Sequence, residues 1–149
     1  MAELVRSVDV DAPPAAVWAA LTDWGRQGEW MLATSVRPTY RDGQGVGGRL
    51  AARTGAGPVA VLDLMTITAW EPPYRCVVRH TGRLVRGAGG FEVAELPGGR
   101  SRFTWAEWLD LPLGRVGQLG FLLVRPLLAA GVGLSLRRFA RWVVRRETR

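Results

Sequence analysis

Apolar and polar residues alternate along most of the chain, and short segments rich in glycine or proline separate the alternating stretches. Alternation with a period of two residues is typical of β-strands that bury one face. The pattern predicts strands at residues 4–10, 34–40, 48–54, 59–70, 74–81, 84–96 and 101–111. Turn sequences such as Asp42-Gly43 and Gly98-Gly99 join neighbouring stretches, which predicts a long antiparallel meander.

Two short helical segments follow the first predicted strand, and one long segment ends the chain. Asp11-Ala-Pro-Pro starts the first helix, because proline is tolerated in a first helical turn, and a weaker helical turn covers residues 24–30. Residues 116–136 contain one charged residue, Arg125, and approach the length of a membrane span. Arg125, Pro126 and several glycines favour instead a helix packed on the concave sheet, interrupted at Pro126 and continued through residues 136–144.

The bulk composition limits the classes of protein that fit. A length of 149 residues suits one domain, residues 1–149. The net charge is +7, but all 20 basic residues are arginine, as in proteins from GC-rich genomes, so we expect no nucleic-acid partner. One cysteine and one histidine provide neither a disulfide nor a usual metal-ligand set, so we expect no metal and no cofactor. The first residues include acids and lack an apolar core, which indicates no signal peptide and a cytoplasmic protein.

One acidic residue falls on the apolar face of the last predicted strand, where Glu107 lies between Trp105 and Leu109 in the alternation. A carboxylate at such a position is either paired or faces a cavity that holds a polar group. Glu107 is the first candidate for a proton-transfer group, and His80 and Asp63 are the second and third. An ion pair between Glu107 and an arginine, and a solvated His80 at a strand end, are open alternatives. The pattern leaves open whether the three side chains share one cavity.

Large apolar residues are candidates for the lining of a pocket, with ordinary core packing as the alternative. Seven tryptophans are more than a core of this size usually needs, and their rings can stack on planar ligands. Cys76 is expected to be a small buried residue rather than the partner of His80 in a catalytic pair. The candidate lining residues are Trp18, Trp30, Met65, Phe91, Phe103, Trp105, Phe121 and Leu122.

Four segments resemble those of one superfamily and occur in its order. They are VDVDAPPAAVW at residues 8–18, TAWEPP at 68–73, GGRSRFTW at 98–105 and LSLRRF at 134–139. By these segments the chain resembles the START-like, or Bet v 1-like (SRPBCC), superfamily, and in particular its bacterial polyketide cyclase/dehydrase branch. The resemblance implies an α+β helix-grip fold, in which a curved antiparallel sheet of about seven strands wraps around a long C-terminal helix.

The resemblance also implies a hydrophobic cavity between sheet and helix, and superfamily members include carriers as well as aromatase/cyclases. We expect a carrier or sequestering protein for a polyketide, a lipid or a quinone-like molecule. One alternative is a polyketide aromatase/cyclase that uses Glu107, His80 or Asp63 for proton transfer. A second alternative is peripheral contact with a membrane surface through the basic helix end at residues 137–149. Both a monomer and a homodimer are compatible with the pattern.

Overall fold

The computed structural model describes residues 2–149. Within this range the chain forms seven strands, two α-helices, a 3-10 helix at Trp24–Glu29 and a short 3-10 turn at Arg41–Gly43. The strands are β1 (Ala2–Val10), β2 (Thr34–Tyr40), β3 (Arg49–Ala56), β4 (Val59–Glu71), β5 (Arg75–Thr81), β6 (Arg86–Leu96) and β7 (Arg100–Leu109). The helices are α1 (Pro14–Leu21) and α2 (Gly114–Glu147).

All seven strands form one antiparallel sheet in the order β1-β7-β6-β5-β4-β3-β2. Strands β2 to β7 form the expected meander, and β1 pairs with β7, so that Ala2 lies opposite Leu109 and Val10 opposite Ser101. The strand limits agree with the sequence prediction to within two residues. The predicted α+β helix-grip architecture, with short helices after β1 and a long C-terminal helix, is therefore confirmed.

The solid part of the core lies under the C-terminal half of α2. The ring of Phe139 packs edge-on against Trp30 and Phe103, with centroid distances of 4.7 and 5.1 Å. All three side chains are fully buried, and Val17 and Leu21 of α1 join the same apolar cluster. This cluster fixes the C-terminal half of α2 to the sheet beside β7.

Two expectations about the last helix are corrected by the structure. Pro126 does not interrupt α2, which runs unbroken over Gly114–Glu147. The proline removes the hydrogen bond to the carbonyl of Leu122, but Leu122 is exposed, so water can donate instead. The helix is also not packed on the sheet along its whole length, because residues 114–130 are nearly all exposed. The buried side chains of α2 are Ser135, Leu136, Phe139 and Val143.

The N-terminal half of α2 presents apolar surface to the surroundings. Within the part of the chain that the structure describes, α2 is long and apolar enough to cross a membrane, and 11% of its most apolar window is buried. A helix that is apolar on most sides is usually buried in a core or in lipid. This half of α2 therefore has the composition of a buried helix but the exposure of a surface one.

Replacing Phe139 with alanine should lower the free energy of unfolding by about 3–5 kcal/mol, because the change leaves a cavity between Trp30 and Phe103. The matched variant Leu123→Ala changes an 83% exposed side chain of the same helix, and it should change that free energy by less than about 0.5 kcal/mol. Urea unfolding followed by tryptophan fluorescence measures both. Equal losses in the two variants would contradict the division of α2 into a packed half and an exposed half.

Candidate functional site

A cavity of about 390 Å³ lies between the concave face of the sheet and the middle of α2. Most of its lining is apolar, and none of the described residues that line it is an arginine. The wall formed by α2 consists of Leu127, Leu128, Gly131, Val132 and Ser135. The apolar side chains from the sheet include Val36, Leu50, Met65, Val78, Phe91 and Trp105.

The three candidate polar residues meet at this cavity, although they come from three different strands. Nδ1 of His80 lies 2.8 Å from Oδ1 of Asp63, and Nε2 lies 2.7 Å from Oε2 of Glu107. The indole Nε1 of Trp105 donates to the other oxygen of Glu107 at 2.9 Å. Asp63 and Glu107 line the cavity, whereas the side chain of His80 is only 2% exposed and lies behind them. We call Asp63, His80 and Glu107 the polar cluster.

The sheet register and one glycine explain how Glu107 reaches His80. Met65 pairs with His80, which places Asp63 of β4 beside the ring on β5. Glu107 lies on β7, two strands away from β5, and Gly89 of the intervening β6 is its direct partner. A Cβ atom on Gly89 would stand 2.6 Å from Oε2 of Glu107. The missing side chain therefore lets the carboxylate extend across β6 to the imidazole.

The geometry of the polar cluster requires a doubly protonated ring when both carboxylates are ionised, because each ring nitrogen faces a carboxylate oxygen. Burial lowers the pKa of His80, but the hydrogen bonds and charges of Asp63 and Glu107 outweigh it and raise the pKa from 6.5 to about 10. His80 is thus an imidazolium at neutral pH with both nitrogens engaged. It can hold two carboxylates in place, but it has no free nitrogen with which to accept a proton.

The structure places the expected lining residues in three different environments. Met65, Phe91 and Trp105 line the cavity. Trp18, Trp30 and Phe103 do not, because their rings are used in core packing, as where Trp18 stacks edge-on against Trp70 at 5.0 Å. Phe121 and Leu122 do not line it either, because they lie on the exposed half of α2.

The sequence did not predict several of the residues that line the cavity. Trp24 and Gln27 belong to the 3-10 helix, whose glycines gave only a weak helical signal. Strand β3 contributes Leu50, Ala52 and Thr54 to the lining. Their spacing of two residues could have shown that they lie on the same face of the sheet. Side chains of these types are common on any half-buried strand, so nothing in the sequence singled them out.

Cys76 also lines the cavity, but it is not an activated nucleophile. Burial raises the pKa of its thiol from 9.0 to about 12, so the thiol stays protonated at neutral pH. This agrees with its interpretation as a small buried residue. Within residues 2–149, no group of three or more His, Cys, Asp or Glu side chains is placed to hold a metal ion.

The raised pKa of His80 predicts a distinctive titration. His80 is the one histidine of the chain, so its imidazole carbon-bound protons can be followed by NMR without ambiguity. We expect no titration below about pH 8, since the folded pKa lies far above the ordinary value of 6.5. A raised folded pKa stabilises the protein fully below the unfolded pKa. That contribution is lost as the pH rises from about 6.5 toward 10, by up to about 1.4 kcal/mol per pH unit.

Gly89→Ala tests whether the contact of Glu107 with His80 across β6 raises the pKa of His80. The added methyl group should displace the carboxylate and move the midpoint of the His80 titration toward 6.5, while both ionisable groups stay in the chain. Gly25→Ala is the control, because nothing lies within 4 Å of its added Cβ atom. A His80 midpoint near 6.5 in the unmodified protein would contradict the polar cluster.

Comparison with solved structures gives the same fold at low sequence identity. TTHA0849 from Thermus thermophilus matches with a TM-score of 0.81 and 19% identity, over 97% of this chain and 99% of that one. The ZhuI aromatase/cyclase from Streptomyces sp. R1128 matches with a TM-score of 0.74 and 14% identity, over 97% of this chain and 94% of that one. The di-domain aromatase/cyclase BexL from the BE-7585A biosynthetic pathway matches with a TM-score of 0.68 and 19% identity, over 94% of this chain and 49% of that one.

A comparison with curated protein sequences finds no match. The family described as "Polyketide cyclase / dehydrase and lipid transport" matches residues 1–144, which is nearly the whole chain. This agrees with the resemblance seen in the four sequence segments. The chain therefore belongs to the polyketide cyclase/dehydrase and lipid transport family.

Proposed function

We propose that the protein binds a mainly apolar small molecule that carries a hydrogen-bond donor, and that the cavity under α2 is the binding site. The observation that carries this proposal is the pair of carboxylates, Asp63 and Glu107, in a lining that is mostly apolar and whose other polar side chains are uncharged. Their side chains are 20% and 19% exposed, so they keep some surface toward the cavity. Ligand pockets usually combine apolar walls with a few polar groups that orient the ligand.

The chemistry of the polar cluster selects the polar group of the ligand. Asp63 uses Oδ1 on His80, and its Oδ2 has no hydrogen-bond partner within residues 2–149. With both carboxylates ionised and His80 charged, the polar cluster carries a net charge of −1. A hydroxyl, phenol or amine can donate to Asp63, whereas a carboxylate or phosphate would meet repulsion with no arginine in the lining to offset it.

The remaining lining favours a ring system or a chain of moderate size. Trp24, Phe91 and Trp105 offer aromatic surface, and a volume of about 390 Å³ suits a small molecule of a few fused rings. Hydroxylated polyketides and lipid alcohols fit these requirements better than an oxidised quinone, which has acceptors only. A carrier or sequestering role needs no further chemistry from the protein. It also agrees with the "lipid transport" part of the family description.

Isothermal titration calorimetry with 2-naphthol and 2-naphthoate tests the ligand class, because the two probes differ in one polar group. At neutral pH we expect 2-naphthol to bind at least about tenfold more tightly. Asp63→Asn should reduce the ratio of the affinity for 2-naphthol to that for 2-naphthoate. Asp42→Asn, the same change at an exposed carboxylate, should leave this ratio unchanged. Tighter binding of the naphthoate would contradict the proposal.

A second candidate function is proton transfer in a polyketide aromatase/cyclase, and the polar cluster is the observation that favours it. Oδ2 of Asp63 can accept a proton from a carbon between two carbonyl groups, and the enolate carbon can then attack a carbonyl carbon further along the chain to close a ring. The oxygen of the attacked carbonyl takes back a proton from Asp63, and the resulting hydroxyl group leaves as water when the ring becomes aromatic. Glu107 would orient the substrate, since its two oxygens already accept from Trp105 and His80. His80 would act as a positioning residue that stabilises the ionised carboxylates. Solved relatives that are named aromatase/cyclases agree with this candidate.

Asp63→Asn and Glu107→Gln separate catalysis from binding. If the protein is a cyclase, either variant should lower the formation of aromatic product from a linear poly-β-ketone thioester by about 100-fold or more, while the affinity for 2-naphthol changes much less. Absorbance of the aromatic product measures the rate, and Asp42→Asn is the control. If aromatic product forms at the same rate with and without the protein, the protein is not a cyclase and the carrier role remains. Unchanged turnover in both variants would remove the two carboxylates from the mechanism.

A further inference from the structure

We propose that α2 docks on an anionic lipid surface through one face of the helix, which we call the outward stripe. Its residues follow one another at intervals of three or four, the spacing that places side chains on one side of an α-helix. The first part of the stripe is apolar and the second part is cationic. The residues in order are Val116, Leu119, Leu123, Leu127, Ala130, Leu134, Arg137, Arg141 and Arg145.

The apolar part of the outward stripe is open to the surroundings. Its valine and leucine side chains are between 43% and 83% exposed, and Leu123 and Leu127 are the most exposed of them. Ala130 is exposed as well. Soluble proteins rarely expose a contiguous apolar patch of several large residues without a partner for it. The stripe therefore requires an occupant.

The arginines of the outward stripe also have no partners within the described part of the protein. The guanidinium groups of Arg137, Arg141 and Arg145 make no ion pair or hydrogen bond within residues 2–149. The neighbouring arginines off the stripe are used inside the protein, since Arg146 pairs with Asp23 at 2.8 Å and Arg138 donates to the carbonyl of Glu29. The free arginines are thus the ones that share a face with the leucines.

Charge identifies the occupant. No acidic residue occurs between Asp110 and Glu147, so nothing on α2 neutralises its arginines until the end of the helix. An apolar face that continues into a row of free arginines matches the acyl and headgroup layers of an anionic bilayer. A second copy of the chain matches less well. Parallel stripes would set arginine against arginine, and antiparallel stripes would set arginine against leucine.

Peripheral docking agrees with the geometry better than a spanning helix does. The C-terminal half of α2 is held in the protein core by Phe139 and Val143, so only residues 114–130 extend along exposed surface. That segment is about 25 Å long, shorter than the hydrocarbon core of a typical bilayer. It also contains Arg115 and Arg125, whose burial in hydrocarbon is unfavourable. A helix that lies in the interface keeps these groups in water.

Co-sedimentation with vesicles tests the proposal. The vesicles are phosphatidylcholine alone or phosphatidylcholine with about one third phosphatidylglycerol, at roughly 0.05 and 0.5 M salt. We expect binding to the anionic vesicles at low salt, weakening at least about tenfold at high salt, and little binding to the neutral vesicles. No binding to anionic vesicles at low salt would overturn the proposal. Protein that stays on the vesicles at high salt and alkaline pH would indicate a spanning helix and would also overturn it.

Matched pairs of variants assign the binding to the outward stripe. Leu119→Gln/Leu123→Gln should weaken vesicle binding by about tenfold or more, whereas Val59→Gln/Leu84→Gln, at exposed apolar residues outside α2, should not. Arg141→Gln/Arg145→Gln should weaken binding at low salt, whereas Arg37→Gln/Arg83→Gln removes the same charge elsewhere and should have little effect. Equal losses in the stripe and control variants would overturn the assignment.

Two further measurements separate this proposal from its alternatives. Light scattering should show a monomer without vesicles, and a dimer that Leu119→Gln/Leu123→Gln dissociates would make a second copy the occupant and overturn the proposal. Asp63→Asn should bind vesicles as the unmodified protein does, because Asp63 lies on the sheet side of the cavity and only Leu127 belongs to both the cavity wall and the outward stripe. Circular dichroism and thermal unfolding of each variant show whether a loss of binding reflects a loss of folding.

Discussion

The packing of Phe139 against Trp30 and Phe103 is the contact on which the rest of the domain depends. The long helix α2 lies across the concave face of a seven-stranded sheet, and these rings attach only its C-terminal half. The other end of the concave face is left incompletely filled, which produces the cavity. The helix continues past the attachment point, which produces the exposed apolar half. Cavity and outward stripe therefore have a common origin in where α2 is anchored.

The polar cluster is better explained by recognition than by stability. Removing His80 and two carboxylates from water is costly, and the hydrogen bonds of 2.8 and 2.7 Å are needed to offset that cost. Apolar side chains of similar size would fill the same space without the penalty. Met65, Val78 and Phe91 do so elsewhere in the lining. The stability of the fold therefore does not require the polar cluster, which supports the proposal that the cluster recognises a ligand in the cavity.

The sequence predicted the strands and the interior position of Glu107 because both depend on local alternation. It did not predict that Glu107 would reach His80, because that contact crosses β6 and depends on the absence of a side chain at Gly89. Strand pattern alone does not reveal such a gap. The exposure of residues 114–130 was also missed, because an apolar helix has the same sequence pattern whether protein, lipid or water surrounds it.

The outside and the inside of the domain carry charges of opposite sign, and this has a consequence if both proposals hold. Arg137, Arg141 and Arg145 attract anionic headgroups, whereas Asp63 and Glu107 exclude an anionic group from the cavity. A protein arranged in this way would settle on an anionic bilayer without extracting the lipids that attract it. It would instead take up neutral molecules with a hydroxyl group, which partition into the same bilayer. The outward stripe would then select the anionic membrane surface, and the cavity would select the neutral ligand.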